Sequence, residues 1–405
     1  MTTTFTTFGI VARSTIVGLA IIAPATASAG GLAVGEQNAV SAGTGGAGAA
    51  RDGDPGAAWH DPAALADGGG WRVGLSLALA HPDLQARAMD GSWTADTDSA
   101  WSTPPHLDAS YAKDRWAAGI ALGVPFGGGV QWPASWPGAV EAVQTQLVVL
   151  RAAPFAAWSF GKLRVSAGVH LDTGRLQIQR NLDFIDTQGD VRLDLSGRGA
   201  GVDAAMYVQV RPDLGVGLVY RGRTTIDFAG NANFTAPDAF SEKTPDQTAK
   251  TSMTMPDTLV LGAHYTRGAY AAVLDLEWAN WSVNKRTTVA FANASTPEAV
   301  QENGWHDTIA VRAGGEWTRD RLIVRAGVYY DPSPVPSSHL TPSSPDATRL
   351  GLTAGGSYKL TPAWSADLFA ERMWLLRRET TSTDSMPASY GGTALVLGAG
   401  VRWTR

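Results

Sequence analysis

Seven histidines are the side chains in this sequence best suited to acid–base or metal chemistry, and their spacing argues against both. His60, His81, His106, His170, His264, His306 and His339 stand far apart, with no His-Glu-x-x-His pair and no two at metal-ligand spacing. No Gly-x-Ser-x-Gly elbow offers a serine nucleophile. Cysteine is absent, which removes disulfides, thiolate metal sites and thiol nucleophiles together. Aromatic side chains offer a different chemistry. Trp93, Trp101, Trp132, Trp136 and Phe155 fall in or near two long irregular stretches, and Phe234, Phe240, Met253 and Phe291 in later ones. Aromatics on loops either take hold of an apolar ligand or pack the loops together, and both readings stand at this point. Recognition of a carboxylate would fall to Lys285, Arg312 or Arg325, with Glu316, Asp275 and Glu277 as acids able to neutralise them. The expectation is no enzyme, no metal and no cofactor.

Composition narrows the setting. The 405 residues carry 32 Lys plus Arg against 37 Asp plus Glu, a net charge of -5, with 46 Gly and 15 Trp. Only 17% of residues are charged, against about 25% in an ordinary soluble domain. No basic cluster points to nucleic acid. Arg13, the apolar run Ile16–Ala23 and Ala27-Ser28-Ala29 form a positive, apolar and small-residue series, which predicts a signal peptide over 1–29 and a mature chain from Gly30. Beyond it no stretch approaches the roughly 20 apolar residues of a membrane helix. An exported chain of this kind is periplasmic, secreted or an outer-membrane barrel.

Periodicity decides among these. In 71–81 the residues Trp71, Val73, Leu75, Leu77 and Leu79 are apolar, and Arg72, Gly74, Ser76, Ala78 and Ala80 between them are small or polar. Successive strand side chains point to opposite faces, so this is a strand with one bulky and one small, polar face. Fourteen such runs follow one another: 71–81, 106–113, 115–125, 141–160, 163–176, 192–210, 214–229, 256–266, 269–283, 305–318, 321–331, 348–360, 363–378 and 391–403. Short connections alternate with long ones, the long ones near 82–105, 126–140, 177–191, 230–255, 284–304, 332–347 and 379–390. Outer-membrane barrels have short periplasmic turns and longer outside loops. The bulky face then meets lipid. The other lines a packed polar lumen and carries charges such as Arg72, Asp108, Arg164, Asp172, Arg223, Asp275, Arg312, Arg325 and Glu371. Trp71, Tyr111, Trp116, Tyr220, Tyr270, Trp278, Tyr330, Trp364, Trp374 and Trp403 fall near run ends, as interfacial girdles require. A soluble propeller would repeat every 40–50 residues, and no such repeat is present.

Residues 30–70 are not strand-like: GTGGAGAA at 43–50 is followed by turn-forming and acidic residues. A lumen wider than side chains can fill needs a plug, which predicts a hatch over 30–70 and a barrel over 71–405; a loose periplasmic tail is the alternative. The opening Gly31-Leu32-Ala33-Val34-Gly35-Glu36 is similar to the start of the FadL-type (OmpP1/FadL/TodX) outer-membrane transporters of fatty acids and other hydrophobic compounds. Ala57–Ala63 resembles that family's Asn-Pro-Ala hatch motif, with Asp61 before Pro62 and Ala63 where Asn is usual. Pro125-Phe126-Gly127, Tyr220-Arg221, Met255-Pro256-Asp257-Thr258, Glu277-Trp278, Arg325-Ala326-Gly327 and Asp331–Pro336 follow in the family's order.

The resemblance implies a monomeric fourteen-stranded antiparallel barrel with an N-terminal hatch, resident in the bacterial outer membrane among its lipids. A hydrophobic small molecule is caught by outer loops, held above the hatch and released sideways at a kinked strand. It implies a role for Gly31, Glu36, Asp61, Pro62 and Ala63 in the hatch. Glu36 either holds the N-terminus closed or caps the plug. The barrel assembly machinery reads a terminal aromatic in such proteins; here Trp403 is followed by Thr404-Arg405. A general diffusion porin for polar solutes is the alternative function, and a lipase-like membrane enzyme a third.

Overall fold

The computed structural model describes residues 31–184 and 187–405, and the expected signal peptide lies outside the described residues. Side-chain alternation builds a single closed sheet. Its strands are β1 (Gly68–Ala88), β2 (Pro105–Asp114), β3 (Trp116–Gln131), β4 (Gln144–Phe160), β5 (Leu163–Asp183) and β6 (Gln188–Arg211). Two interrupted strands follow, β7 (Leu214–Arg221 and Thr224–Thr235) and β8 (Gln247–Met255 and Thr258–Arg267). The remainder are β9 (Tyr270–Ala279), β10 (Thr308–Arg319), β11 (Leu322–Asp331), β12 (Arg349–Lys359), β13 (Trp364–Glu379) and β14 (Ala388–Thr404). Each strand pairs antiparallel with the next, and β14 returns to β1 from Arg72↔Thr404 to Ala88↔Ala388. The barrel is closed, with the fourteen strands expected from the periodicity.

The faces sort as the period demands. Leu75, Leu77, Leu79, Leu274 and Leu368 are exposed on the outside, while Asp108, Asp172, Asp275, Arg325 and Glu371 are buried within. Trp71, Tyr111 and Trp116 form one run of neighbouring rings at the end carrying the short turns, with centroids 5.0 and 5.8 Å apart. Tyr270 and Trp278 mark the two girdles on β9; eight residues at about 3.4 Å, tilted by about 40°, give roughly 20 Å of apolar height. Arg223 departs from its expected inward direction. Arg221 pairs with Thr258 and Thr224 with Met255, and between them Pro256 has no N–H to continue the ladder. The break resets the alternation, so Arg223 turns outward and bridges it by a 3.0 Å ion pair to Asp257.

Several strands run past their expected outer ends. β1 continues to Ala88, β3 to Gln131 and β7 to Thr235, while β8 begins at Gln247, so the fourth long loop shrinks to 236–246. Above the bilayer both sheet faces meet water or loop, so the polarity alternation fades while the backbone ladder continues. β9 instead stops at Ala279, ahead of its expected end at 283, and a 3-10 turn follows at Trp281–Val283.

Residues 31–67 occupy the lumen. They form two single-turn helices, α1 (Ala39–Ala42) and α2 (Ala57–His60), and a 3-10 turn at Pro62–Leu65. Small residues let this segment touch the wall all round. Ala39 N donates to Ser76 Oγ on β1 at 3.2 Å and Gly45 N to Thr353 on β12 at 2.9 Å. Gly48 N and Ala49 N donate to Asp275 on β9 at 2.7 and 3.0 Å. Asp52 pairs with Arg164 on β5 at 2.8 Å, and Asp54 with Arg402 on β14 at 2.6 Å.

Candidate functional site

The outer half of the barrel holds a continuous apolar cluster. Trp132 and Trp136 stack at 4.6 Å, Trp93 meets Trp136 edge-on at 5.8 Å, and Trp281 packs between Phe126 and Trp305. Both stacked indoles have spent their N–H groups, Trp132 on Pro342 O at 3.0 Å and Trp136 on Ala142 O at 2.8 Å. Beneath the cluster, a cavity of about 90 Å³ is lined by Ala33, Val34, Pro125, Phe126 and Trp281 together with Arg221, Glu277 and Arg312. That is below the 150 Å³ of an engineered cavity able to hold benzene, so in this closed state an acyl chain has no room there.

The wall is incomplete beside this cavity. β2 and β3 pair only as far as Leu107↔Leu122, and β3 then slips by one residue against β4 between Gly123 and Phe126. The chain's own front end takes the missing neighbour's place. Val34 N donates to Pro125 O at 3.0 Å and Gly127 N to Leu32 O at 2.8 Å, Ala33 bridges Phe126, and Gln37 Nε2 donates to Val124 O at 2.8 Å. Behind it, Gly31 N donates to both oxygens of Asp346 at 3.3 Å, and Arg349 Nη1 to Ala33 O at 3.0 Å. Burial pushes the Asp346 carboxyl up to about 6, against the pull of the Ser333 hydroxyl and Arg349. Replacing Asp346 with alanine strands the Gly31 amide, at a cost of about 1–3 kcal/mol. Hydrogen exchange at Gly31–Glu36 should rise about tenfold or more in D346A; unchanged protection would show that Arg349 alone holds the front end.

Asp61 is fully buried, with Oδ1 accepting from Ala63 N at 3.1 Å. Its other oxygen has no hydrogen-bond partner among the described residues. Burial drives this carboxyl well above the usual range, opposed by the Ala63 and Ala64 amides and by Arg221. Pro62 and Ala63 open the 3-10 turn that Asp61 caps. His60 bonds Ser41 Oγ at 2.9 Å, and burial, with Arg221 beside it, depresses its basicity well below the ordinary histidine value. Of the two roles open to Glu36, the cap belongs instead to Asn38, whose Oδ1 accepts from Ser41 N at 3.0 Å. Glu36 lies close enough to Arg312 and Glu371 to act on both.

The remaining candidates are scattered. Arg312 pairs with Glu277 at 3.6 Å and Asp331 at 3.5 Å, and Arg325 with Glu316 at 3.5 Å. Asp275, expected to neutralise one of them, binds the Gly48 and Ala49 amides instead. Lys285 Nζ donates to Trp305 O at 2.9 Å. Phe155 is no loop residue: it lies on β4, buried against α2 and Leu65 in the inner half of the lumen. Phe240 is exposed on its loop and packs at a tilt on Phe184 at 4.7 Å, away from the apolar cluster. Phe234 packs on Phe291 at 5.8 Å at the cluster's edge. Asp346, Arg349, Arg378 and Tyr390 escaped the sequence reading; Asp346, the one acid in the Pro- and Ser-rich stretch 332–347, was the available signal.

A family model, "Outer membrane protein transport protein (OMPP1/FadL/TodX)", matches residues 20–404. The chain belongs to this family. Its FadL-type barrel is therefore an outer-membrane one, and the family is of transport proteins rather than enzymes. The chain is 27% identical to a long-chain fatty acid transport protein of Salmonella typhi over 52% of its length and 54% of the relative's. It is 24% identical to outer membrane protein P1 of Haemophilus influenzae over 63% and 62%. The chain thus spans about half to two thirds of the length of these curated relatives. Among solved structures, a Pseudomonas aeruginosa FadL homologue superposes with TM-score 0.82 at 18% identity, covering 92% of this chain and 99% of that one. The toluene transporter TodX of P. putida superposes with TM-score 0.71 at 17% identity, covering 91% and 98%. The FadL-type fold extends over the whole barrel.

Proposed function

We propose that the protein is a passive outer-membrane channel for hydrophobic small molecules, with residues 31–67 as its hatch. Outer loops deliver the ligand to the Trp132–Trp136 cluster, and it leaves sideways where β3 parts from β2. The observation that carries this reading is the pairing of Ala33 with Phe126 at that gap. An N-terminus acting as a detachable strand closes the side of the barrel when seated and opens it when withdrawn. Apolar burial supplies the affinity, about 0.8 kcal/mol per CH₂, and the gradient of free ligand drives the flow. A porin would need an open lumen, which a seated hatch denies.

The absence of native cysteine makes the test direct. A33C/F126C places two thiols on a bridged antiparallel pair, within reach of a disulfide. Oxidation should cut uptake of a hydrophobic solute into proteoliposomes by about tenfold or more, and reductant should restore it. Undiminished uptake through the locked protein would dismiss the sideways route. Large steady ion currents from the unmodified protein would favour the porin.

A further inference from the structure

Among the described residues, the cations near the proposed ligand path are already committed. Arg151 holds Asp172 through two bonds of 2.9 and 2.8 Å, and Arg221 donates to Trp59 O at 2.5 Å. Arg378 donates to Ser333 Oγ and Val335 O, both at 2.7 Å. Arg349 reaches Ala33 O, Lys285 reaches Trp305 O, and Arg312 sits between Glu277 and Asp331. The cavity lining also carries the acids Asp275 and Glu277 beside Arg151, Arg221 and Arg312. Glu371 is buried, accepts the Tyr329 hydroxyl at 2.5 Å and adjoins Glu36. The entrance is acidic: the seven long loops between strands contain thirteen Asp or Glu against three Lys or Arg. An anion approaching such a mouth is depleted from it, and inside it finds no free positive partner among the described residues.

Among the described residues, the apolar cluster encloses a buried polar group that has no partner. Tyr390 is fully buried beside Trp132, with centroids 6.4 Å apart, and its hydroxyl has no partner among the described residues. The acid nearest to act on it is Glu141, which is held by Ser385 Oγ and Met386 N at 2.5 and 2.7 Å. A phenol in that setting can bond a neutral oxygen, whereas a carboxylate there would face Glu141. We infer that the channel selects uncharged hydrophobes bearing a hydrogen-bonding oxygen, such as fatty alcohols, and discriminates against carboxylates of the same chain length, with the Tyr390 hydroxyl as the ligand's polar contact. This rests on the channel function proposed above and specifies its ligand.

The test compares 1-decanol, decanoate and decane with the full-length protein at a pH where decanoate is ionised, by tryptophan fluorescence in detergent and by passage into proteoliposomes. Decanol should bind at least about tenfold more tightly than decanoate, the ordinary cost of an unmatched buried charge. Y390F, which removes one oxygen and keeps the ring, should bring decanol about fivefold closer to decane and leave decane unchanged. Decanoate binding as well as decanol would overturn the selection and leave the channel standing. An unaltered decanol affinity in Y390F would overturn the role of Tyr390. Failure of all three compounds to bind or pass would overturn the channel as well.

Discussion

Gly217→Val should convert a nearly silent barrel into a conducting one, with steady planar-bilayer current roughly tenfold or more above the parent's once a lumen of this width is unplugged. A Cβ at Gly217 would land on the Ala49 carbonyl oxygen and 2.6 Å from Asp61 Oδ2. Both belong to backbone or buried groups that cannot swing aside. Its neighbours repeat the arrangement: a Cβ at Gly262 would meet the Ala49 methyl at 2.7 Å, and one at Gly314 would meet Thr44 Cβ at 2.5 Å. The hatch is seated on a floor of glycines, and one methyl-bearing residue lifts it. The barrel itself should persist, because Gly217 lies in the middle of a β7 segment paired on both sides and valine favours strands. An unchanged, silent G217V barrel with normal heat-modifiability would mean that the segment is not a stopper.

The second large effect is a pH dependence carried by Asp61. Burial raises its carboxyl well above the ordinary carboxylate value, so its folded value lies above the unfolded one. Seating is then strongest below the ordinary carboxylate range, near pH 4. It weakens as pH rises through the raised value, because ionisation leaves a buried charge with one oxygen unpartnered. The cost of an uncompensated buried carboxylate is on the order of 3 kcal/mol. His60 stays neutral across the neutral and alkaline range, since its own basicity is depressed, so it supplies no compensating charge. Asp61→Asn keeps the acceptor for Ala63 N and removes the titration. Conductance and proteolytic release of the hatch, followed as pH is raised from the ordinary carboxylate range, should climb in the parent and stay flat in D61N. Parallel curves would place the titrating group elsewhere.

Much of this architecture was legible because a lipid-facing barrel inverts a simple code. The alternation of Trp71 to Leu79 against Arg72 to Ala80 identifies the wall, and the rhythm of short and long connections identifies its two ends. The outer strand ends were not legible, because Thr225 to Asn233 carry polar residues outward where no lipid constrains them. The break that turned Arg223 outward could have been found from Pro256, which cannot donate to a ladder. For the site, residue type alone located the aromatic cluster. It could not tell that Phe155 belongs to the hatch side, since a buried aromatic on a strand and one on a loop look alike in sequence. The carboxylate candidates Arg312 and Arg325 were correctly matched with nearby acids in outline. Asp331 as a partner, and Asp275 as an amide acceptor, depend on contacts 19 and 227 residues apart.

The ladder joining Arg72 to Thr404 has a consequence for how the molecule comes into being. The first and last strands are each other's neighbours, so no cylinder exists until β14 has been made and delivered. Residues 31–67 must be gathered inside before that zipper is drawn, because afterwards they could enter only by threading. Nascent or prematurely terminated chains would therefore persist as open, unpaired sheets, the species that chaperones of the periplasm must hold and proteases must clear.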